Sequence, residues 1–104
     1  AKKSVKRRAA RVDANQADIV SALERAGAKV RSLAAVGDGM YDLLVGFRGV
    51  LALLEVKDGA KPPSARTLTP MQVGFRRDWA GSGPIYVVTS VDEALEAIGV
   101  KAKP

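Results

Sequence analysis

The stretch Asp42-Leu43-Leu44-Val45-Gly46-Phe47-Arg48-Gly49-Val50-Leu51-Ala52-Leu53-Leu54-Glu55-Val56-Lys57 holds two apolar runs separated by Arg48-Gly49. Two such runs around a two-residue, glycine-containing turn read as an antiparallel hairpin. The second run is apolar at consecutive positions as far as Leu54, the pattern of a central strand covered on both sides. With Arg48 and Gly49 as the turn, Phe47 faces Val50, Val45 faces Ala52, and Asp42 faces Glu55. Directly opposed residues share a face, with Cβ atoms about 4.5–5.5 Å apart. Lys57 lies one alternation beyond Glu55 on that same face, and Val56 points to the other side.

Upstream, Asp13 reads as a helix N-cap with Gln16 in the capping-box position. Ile19, Val20, Leu23 and Ala26 follow at helical spacing, and Gly27 supplies the stop. The core-facing side of this helix then begins with the amide of Gln16. Ala28 to Ala35 reads as a weaker strand, and Val36-Gly37-Asp38-Gly39-Met40 as a loop. Downstream, Asp58 to Leu68 is a basic loop stiffened by Pro62 and Pro63. Thr69-Pro70-Met71-Gln72 opens a second helix with a cap, a proline at its first position and a capping-box glutamine. Met71, Phe75 and Trp79 recur as its core stripe. Ile85-Tyr86-Val87-Val88 is a short buried strand. Ser90-Val91-Asp92-Glu93 opens a third helix as another capping box, with Val91, Leu95 and Ile98 inward. The order helix, three strands, helix, strand, helix predicts an α/β fold, a mixed sheet with helices on both faces.

The chain has 104 residues and a net charge of +6, with neither cysteine nor histidine. That length suits one domain. The missing residue types exclude disulfides, thiolate zinc sites, Ser-His-Asp triads and HExxH zinc sites. Catalysis, if present, falls to carboxylates, lysines and a hard, oxygen-liking metal. No run approaches the roughly 18 apolar residues of a membrane span, and no signal-peptide segment opens the chain, so a cytoplasmic location is expected. Gly37-Asp38-Gly39 lacks the Gly-Lys-Ser/Thr of a phosphate loop, and no small-molecule cofactor is expected.

The charge is concentrated. Lys2, Lys3, Lys6, Arg7, Arg8 and Arg11 carry six positive charges before any acidic residue, and the remainder is balanced at 11 of each sign. Residues 1–12 are therefore expected to be a basic, flexible arm, and 13–104 a single domain. Such an arm contacts phosphate backbones by releasing counterions, or serves as a solubilising terminus. Lys61 and Arg66 in the basic loop favour DNA contact, whereas Arg76 and Arg77 read equally as phosphate contacts or as solvated charges.

Two carboxylates at hairpin separation suit Mg²⁺ or Mn²⁺, which would relieve their mutual repulsion. The Val56 carbonyl could add a third oxygen ligand, and Lys57 could orient a water or neutralise a developing charge. The same three side chains would also make an ordinary surface ion pair worth about 0–1 kcal/mol. A one-residue slip in the turn would send the carboxylates to opposite faces.

Asp42 followed by Glu55-Val56-Lys57 resembles the core of the PD-(D/E)xK nuclease superfamily. The flanking Leu68-Thr69-Pro70-Met71-Gln72 and Val87-Val88-Thr89-Ser90-Val91-Asp92-Glu93-Ala94 resemble the small, stand-alone VRR-NUC nucleases common in phage and bacterial genomes. Archaeal-type Holliday-junction resolvases share the arrangement. The resemblance covers residues 13 to 99. It implies a restriction-endonuclease-like αβββαβ(α) core and Mg²⁺- or Mn²⁺-dependent hydrolysis of phosphodiester bonds. It further implies a homodimer acting on branched or flapped DNA. By position, Asp42, Glu55 and the Val56 carbonyl become metal ligands, Lys57 the water-positioning residue, and Gln72 the second-helix glutamine near lysine, water or phosphate. Two positions depart from the family pattern: Tyr41 stands where the family has proline, and Gln16 where it has a first-helix glutamate. Gln16 then either holds a water or phosphate or serves only as the partner of Asp13.

The function expected from these residues is a metal-dependent DNA endonuclease, with Lys3, Lys6, Arg7, Arg8, Arg11, Lys61 and Arg66 gripping the DNA backbone. A catalytically inactive nuclease-like module that binds DNA or protein is the main alternative, favoured by Gln16 and Tyr41. An RNA-associated basic protein is a third.

Overall fold

Arg48 and Gly49 take φ values of 48° and 81°, so both central residues of the turn are left-handed. That is the type I′ geometry whose twist matches the flanking strands. A computed structural model describes residues 2–62 and 67–100, with side chains from Ala14 onward. Around the turn, β2 (Leu43–Phe47) and β3 (Val50–Val56) pair antiparallel in the expected register, Phe47 with Val50, Val45 with Ala52 and Leu43 with Leu54. The other elements are α1 (Lys2–Arg25), β1 (Lys29–Ser32), α2 (Pro70–Asp78), β4 (Ile85–Val88) and α3 (Val91–Ala97). The strands form one sheet in the order β1-β2-β3-β4, with β4 parallel to β3 and the other pairs antiparallel. The mixed α/β sheet and the order of elements are as the sequence predicts.

Alternation divides the sheet into two unlike faces. Leu43, Val45, Leu54, Val56 and Val88 share one face and are buried with Ile19 and Leu23 of α1 and Ala94 of α3. This is the core, and α1 and α3 pack together over it. The opposite face carries Leu44, Leu51, Leu53, Glu55, Ile85 and Val87. Among the described residues only the nine-residue α2 lies over it, with Gln72 reaching Lys57 at one end and Trp79 beside Leu44, Leu51 and Leu53 at the other. β3 is thus central but not covered throughout, and Leu51 is 67% exposed. A helix this short, about 14 Å at 1.5 Å per residue, cannot roof a whole sheet face.

Several local expectations are corrected. Asp13 is not an N-cap, because α1 already begins at Lys2. No glycine or proline interrupts residues 2–25, and their many Ala, Lys and Arg residues are strong helix formers. Met71 and Trp79 are not core residues, being 57% and 52% exposed, and Gln72 is the buried residue of α2. The aromatic side chains meet one another instead: Phe75 stacks on Trp79 at 5.4 Å and meets the tilted ring of Tyr41 at 5.7 Å between centroids. β1 is shorter than the predicted 28–35, and Tyr86 leaves β4 only partly buried. Ser90 caps α3 by accepting from the Glu93 N–H at 3.1 Å, but the Glu93 carboxylate reaches past it to Thr89, taking its N–H at 2.6 Å and its hydroxyl at 2.7 Å. Among the described residues no helix is long and apolar enough to cross a membrane.

Gly39 seats α2 against the rest of the fold. Its φ is +78°, and a Cβ there would stand 2.7 Å from the Met71 carbonyl group. Gly37 has a similar φ of +71° but open space around it. Gly37→Ala is expected to cost about 1–2 kcal/mol, the left-handed penalty alone. Gly39→Ala is expected to cost more, because the helix must also move away. Urea denaturation of the two variants side by side checks the order.

Candidate active site

The site grows from the end of β3. Continuing the pairing past Leu43 and Leu54 brings Asp42 opposite Glu55 on the sheet face beneath α2. Asp42 itself is held by the next residue of β3, its Oδ2 accepting the Val56 N–H at 2.8 Å. Its own carbonyl accepts from the Leu33 N–H at 2.8 Å. Backbone and side chain of Asp42 are therefore both fixed, one to each neighbouring segment.

Glu55 is 5% exposed. Its Oε2 pairs with the Lys57 ammonium at 3.2 Å, while Oε1 is buried with no hydrogen-bond partner among the described residues. The Lys57 ammonium also donates to Gln72 Oε1 at 3.5 Å, and the same oxygen accepts the Thr69 N–H at 3.1 Å. Thr69 returns the bond, its hydroxyl accepting from the Gln72 N–H at 3.2 Å, so the capping box of α2 is complete. The N-cap that starts the helix thereby aims Gln72 at the lysine. Capping and site geometry are one arrangement.

Burial pushes the Asp42 carboxyl up to about 6, with the Glu55 charge beside it acting in the same direction and the Val56 amide and Lys57 pulling back. Tyr41 is fully buried, and its hydroxyl, near the Arg76 guanidinium, makes no well-formed hydrogen bond among the described residues. Burial raises its pKa; the Arg76 guanidinium opposes that shift and Glu55 reinforces it. Two buried polar atoms without partners, Tyr41 Oη and Glu55 Oε1, thus belong to residues that feel each other's charge. Such atoms cost about 1–3 kcal/mol each unless a water or ion serves them. The donor set at this point is all oxygen, from the two carboxylates and nearby backbone carbonyls, which suits hard divalent cations and no thiophilic metal.

The structure gathers Asp42, Glu55, Lys57 and Gln72, with Val56 carried between them by β3. It does not gather Gln16. That side chain lines a groove along α1 with Ala17, Val20, Ser21 and Glu24, and makes no hydrogen bond to the site among the described residues. Among the described side chains of α1, Asn15 reaches the strand ends, its Nδ2 donating to the carbonyls of Lys57 at 3.1 Å and Thr89 at 3.4 Å. Asn15 is the neighbour that sequence reasoning missed, whereas Tyr41 and Arg76 are read from sequence only as a departure at the proline position and as an undecided phosphate contact or solvated charge. Spacing could have found Asn15, since it precedes Ile19 and Leu23 by successive turns of four. Lys61 is exposed in the loop after β3. Arg66 lies outside the described residues, and the side chains of Lys3, Lys6, Arg7, Arg8 and Arg11 lie outside those described, although their backbone belongs to α1.

A carboxyl with a raised pKa binds its proton more tightly folded than unfolded. Asp42 therefore favours folding most at low pH, and that contribution is lost as pH rises from about 4 through about 6. In divalent-free buffer Asp42→Asn is expected to gain stability relative to wild type at about pH 8, with the gain shrinking towards about pH 4. Urea denaturation across that range checks it, and a difference independent of pH would mean that Asp42 ionises normally.

Neither a family model nor a curated protein matches the sequence. A solved structure described as a VRR_NUC domain is similar over 85% of this chain and 94% of its own, with a TM-score of 0.65 and 28% sequence identity. The mixed four-stranded sheet and the three helices are accordingly those of a VRR-NUC nuclease-like fold.

Proposed function

We propose that the chain is a divalent-metal-dependent deoxyribonuclease that hydrolyses phosphodiester bonds in duplex or branched DNA. The observation that carries this reading is the buried, unpartnered Oε1 of Glu55 beside Asp42, in a chain with a nuclease-like fold. Two close carboxylates with an unused buried oxygen are poorly satisfied by protein alone and well satisfied by a cation. Asp42, Glu55 and the Val56 carbonyl would hold Mg²⁺ or Mn²⁺. When bound, such an ion lowers the pKa of water and offsets charge developing on phosphate oxygens.

The chain's own groups do the rest. Lys57 has three N–H donors, of which Glu55 and Gln72 engage two. The third orients the attacking water or meets a phosphate oxygen as its negative charge grows. Gln72 and Glu55 together keep the ammonium from swinging towards solvent. Arg76, exposed beside Tyr41, meets the substrate backbone. The basic residues of the first helical turns, with Lys61 and Arg66, add affinity through phosphates without reading sequence.

Glu55→Gln and Lys57→Ala are expected to abolish cleavage of labelled duplex, flap and four-way-junction DNA in Mg²⁺ or Mn²⁺, while gel-shift affinity stays within about threefold, because phosphate contacts dominate affinity. Full cleavage by either variant would overturn the assignment. The second reading, a nuclease-like scaffold without activity, draws on Gln16 lining a groove along α1 with no hydrogen bond to the carboxylates among the described residues. Calorimetric titration with Mn²⁺ separates the two, since the nuclease predicts heat that disappears in Asp42→Asn and the scaffold predicts none.

A further inference from the structure

On the nuclease reading above, we propose that Asn15 is a positioning residue for Lys57, bolting the backbone of the catalytic lysine to the end of the neighbouring strand. α1 presents Asn15, Ile19 and Leu23 at successive turns of one face, and Ile19 and Leu23 are fully buried in the core. An asparagine in the middle of a helix is a poor helix former, because its amide competes for backbone partners. Here that amide leaves its own helix. Its two N–H donors suit the two carbonyls at hand, Lys57 at 3.1 Å and Thr89 at 3.4 Å.

Those carbonyls stand where the parallel pair β3–β4 ends. The Lys57 N–H still bonds the Val88 carbonyl at 2.9 Å. Beyond that point the chains diverge, one into the loop at Asp58 and the other into α3. Asn15 bridges the gap where the ladder stops. Thr89 is itself immobilised, its N–H and hydroxyl both held by Glu93 of α3, and Gly59 packs so closely on it that a Cβ would stand 3.1 Å from the Thr89 carbonyl oxygen. Lys57 is consequently fixed at both ends of a flexible four-carbon stem, at its carbonyl by Asn15 and at its ammonium by Glu55 and Gln72. Without Asn15 the backbone end is held on one side only, by the Lys57 N–H to the Val88 carbonyl, and its carbonyl is free to turn. A misplacement of order 1 Å caused by a residue away from the chemistry can cost about 100-fold in rate.

Asn15→Ala and Asn15→Asp are tested in the full chain below the onset of thermal unfolding. Asparagine and aspartate have the same shape, but ionised aspartate offers the two carbonyls no donor. Both variants are expected to lower kcat on duplex or flap DNA roughly 10- to 100-fold with KM nearly unchanged. The ratio of Asn15→Asp to wild-type activity should rise as pH falls, when the acid regains a proton to donate. Hydrogen exchange supplies a readout that needs no activity. The Lys57 amide should exchange at least about tenfold faster in the variants, while amides of Leu23 and Leu54 keep their wild-type rates, the signature of local rather than global opening. Wild-type kcat in either folded variant, or exchange accelerated uniformly across the chain, would overturn the proposal. A wild-type chain that cleaves no DNA in Mg²⁺ or Mn²⁺ would instead defeat the nuclease reading, and the Lys57 exchange rate would still decide the role of Asn15.

Discussion

The two-residue turn at Arg48-Gly49 sets the register on which the site depends. Alternation in a strand is strict, so the turn decides which side chains share a face along the whole hairpin. With both turn residues left-handed, Leu43, Val45, Leu54 and Val56 fall together on the core side. Asp42, Glu55 and Lys57 fall together on the other. A turn longer by one residue would place one carboxylate in the core and leave the other on the far side of the sheet. The apolar face and the charged site are thus two consequences of one pairing. The pairing is held because slipping it would expose the core residues as surely as it would scatter the carboxylates.

The division of labour between the faces has an energetic logic. Ile19, Leu23, Leu54 and Val88 supply the apolar burial that stabilises the domain, at roughly 25 cal/mol per Å² removed from water. The site face contributes little of that kind. It holds a half-buried Asp42 that resists ionisation, a buried Glu55 with one oxygen unserved, and a lysine whose charge must be shared. Such groups are tolerated because the hydrogen bonds around them are nearly complete and the opposite face is well packed. The capping box of α2 shows how economically this is done: Gln72 closes the helix terminus and holds Lys57 with the same oxygen.

Where sequence reasoning went astray, the cause was non-local. A helix with no breaker in it began earlier than its best capping signal, so Asp13 and Gln16 lost the role that the capping box had given them. Helical phase then put Asn15, one residue away, against the strand ends. The stripe Met71, Phe75 and Trp79 has core spacing, yet α2 stands over the site face with its amide inward and its aromatics stacked along its flank. Period alone says which residues share a side of a helix; it does not say which side faces the sheet.

The hairpin, its register, the convergence of Asp42, Glu55 and Lys57 and the N-cap of α2 were all legible in the amino-acid order, because each rests on contacts close in sequence or on strict alternation. Tertiary structure alone decided that α2 covers its face only in part and leaves Leu51 exposed. It also decided that Tyr41 is buried beside Glu55 and that Asn15 bridges two strand ends from a helix 42 and 74 residues away in the chain. Those outcomes depend on how distant segments meet once the core face has chosen its partners: spacing puts Asn15 on the face of Ile19 and Leu23, but it does not say which carbonyls lie opposite.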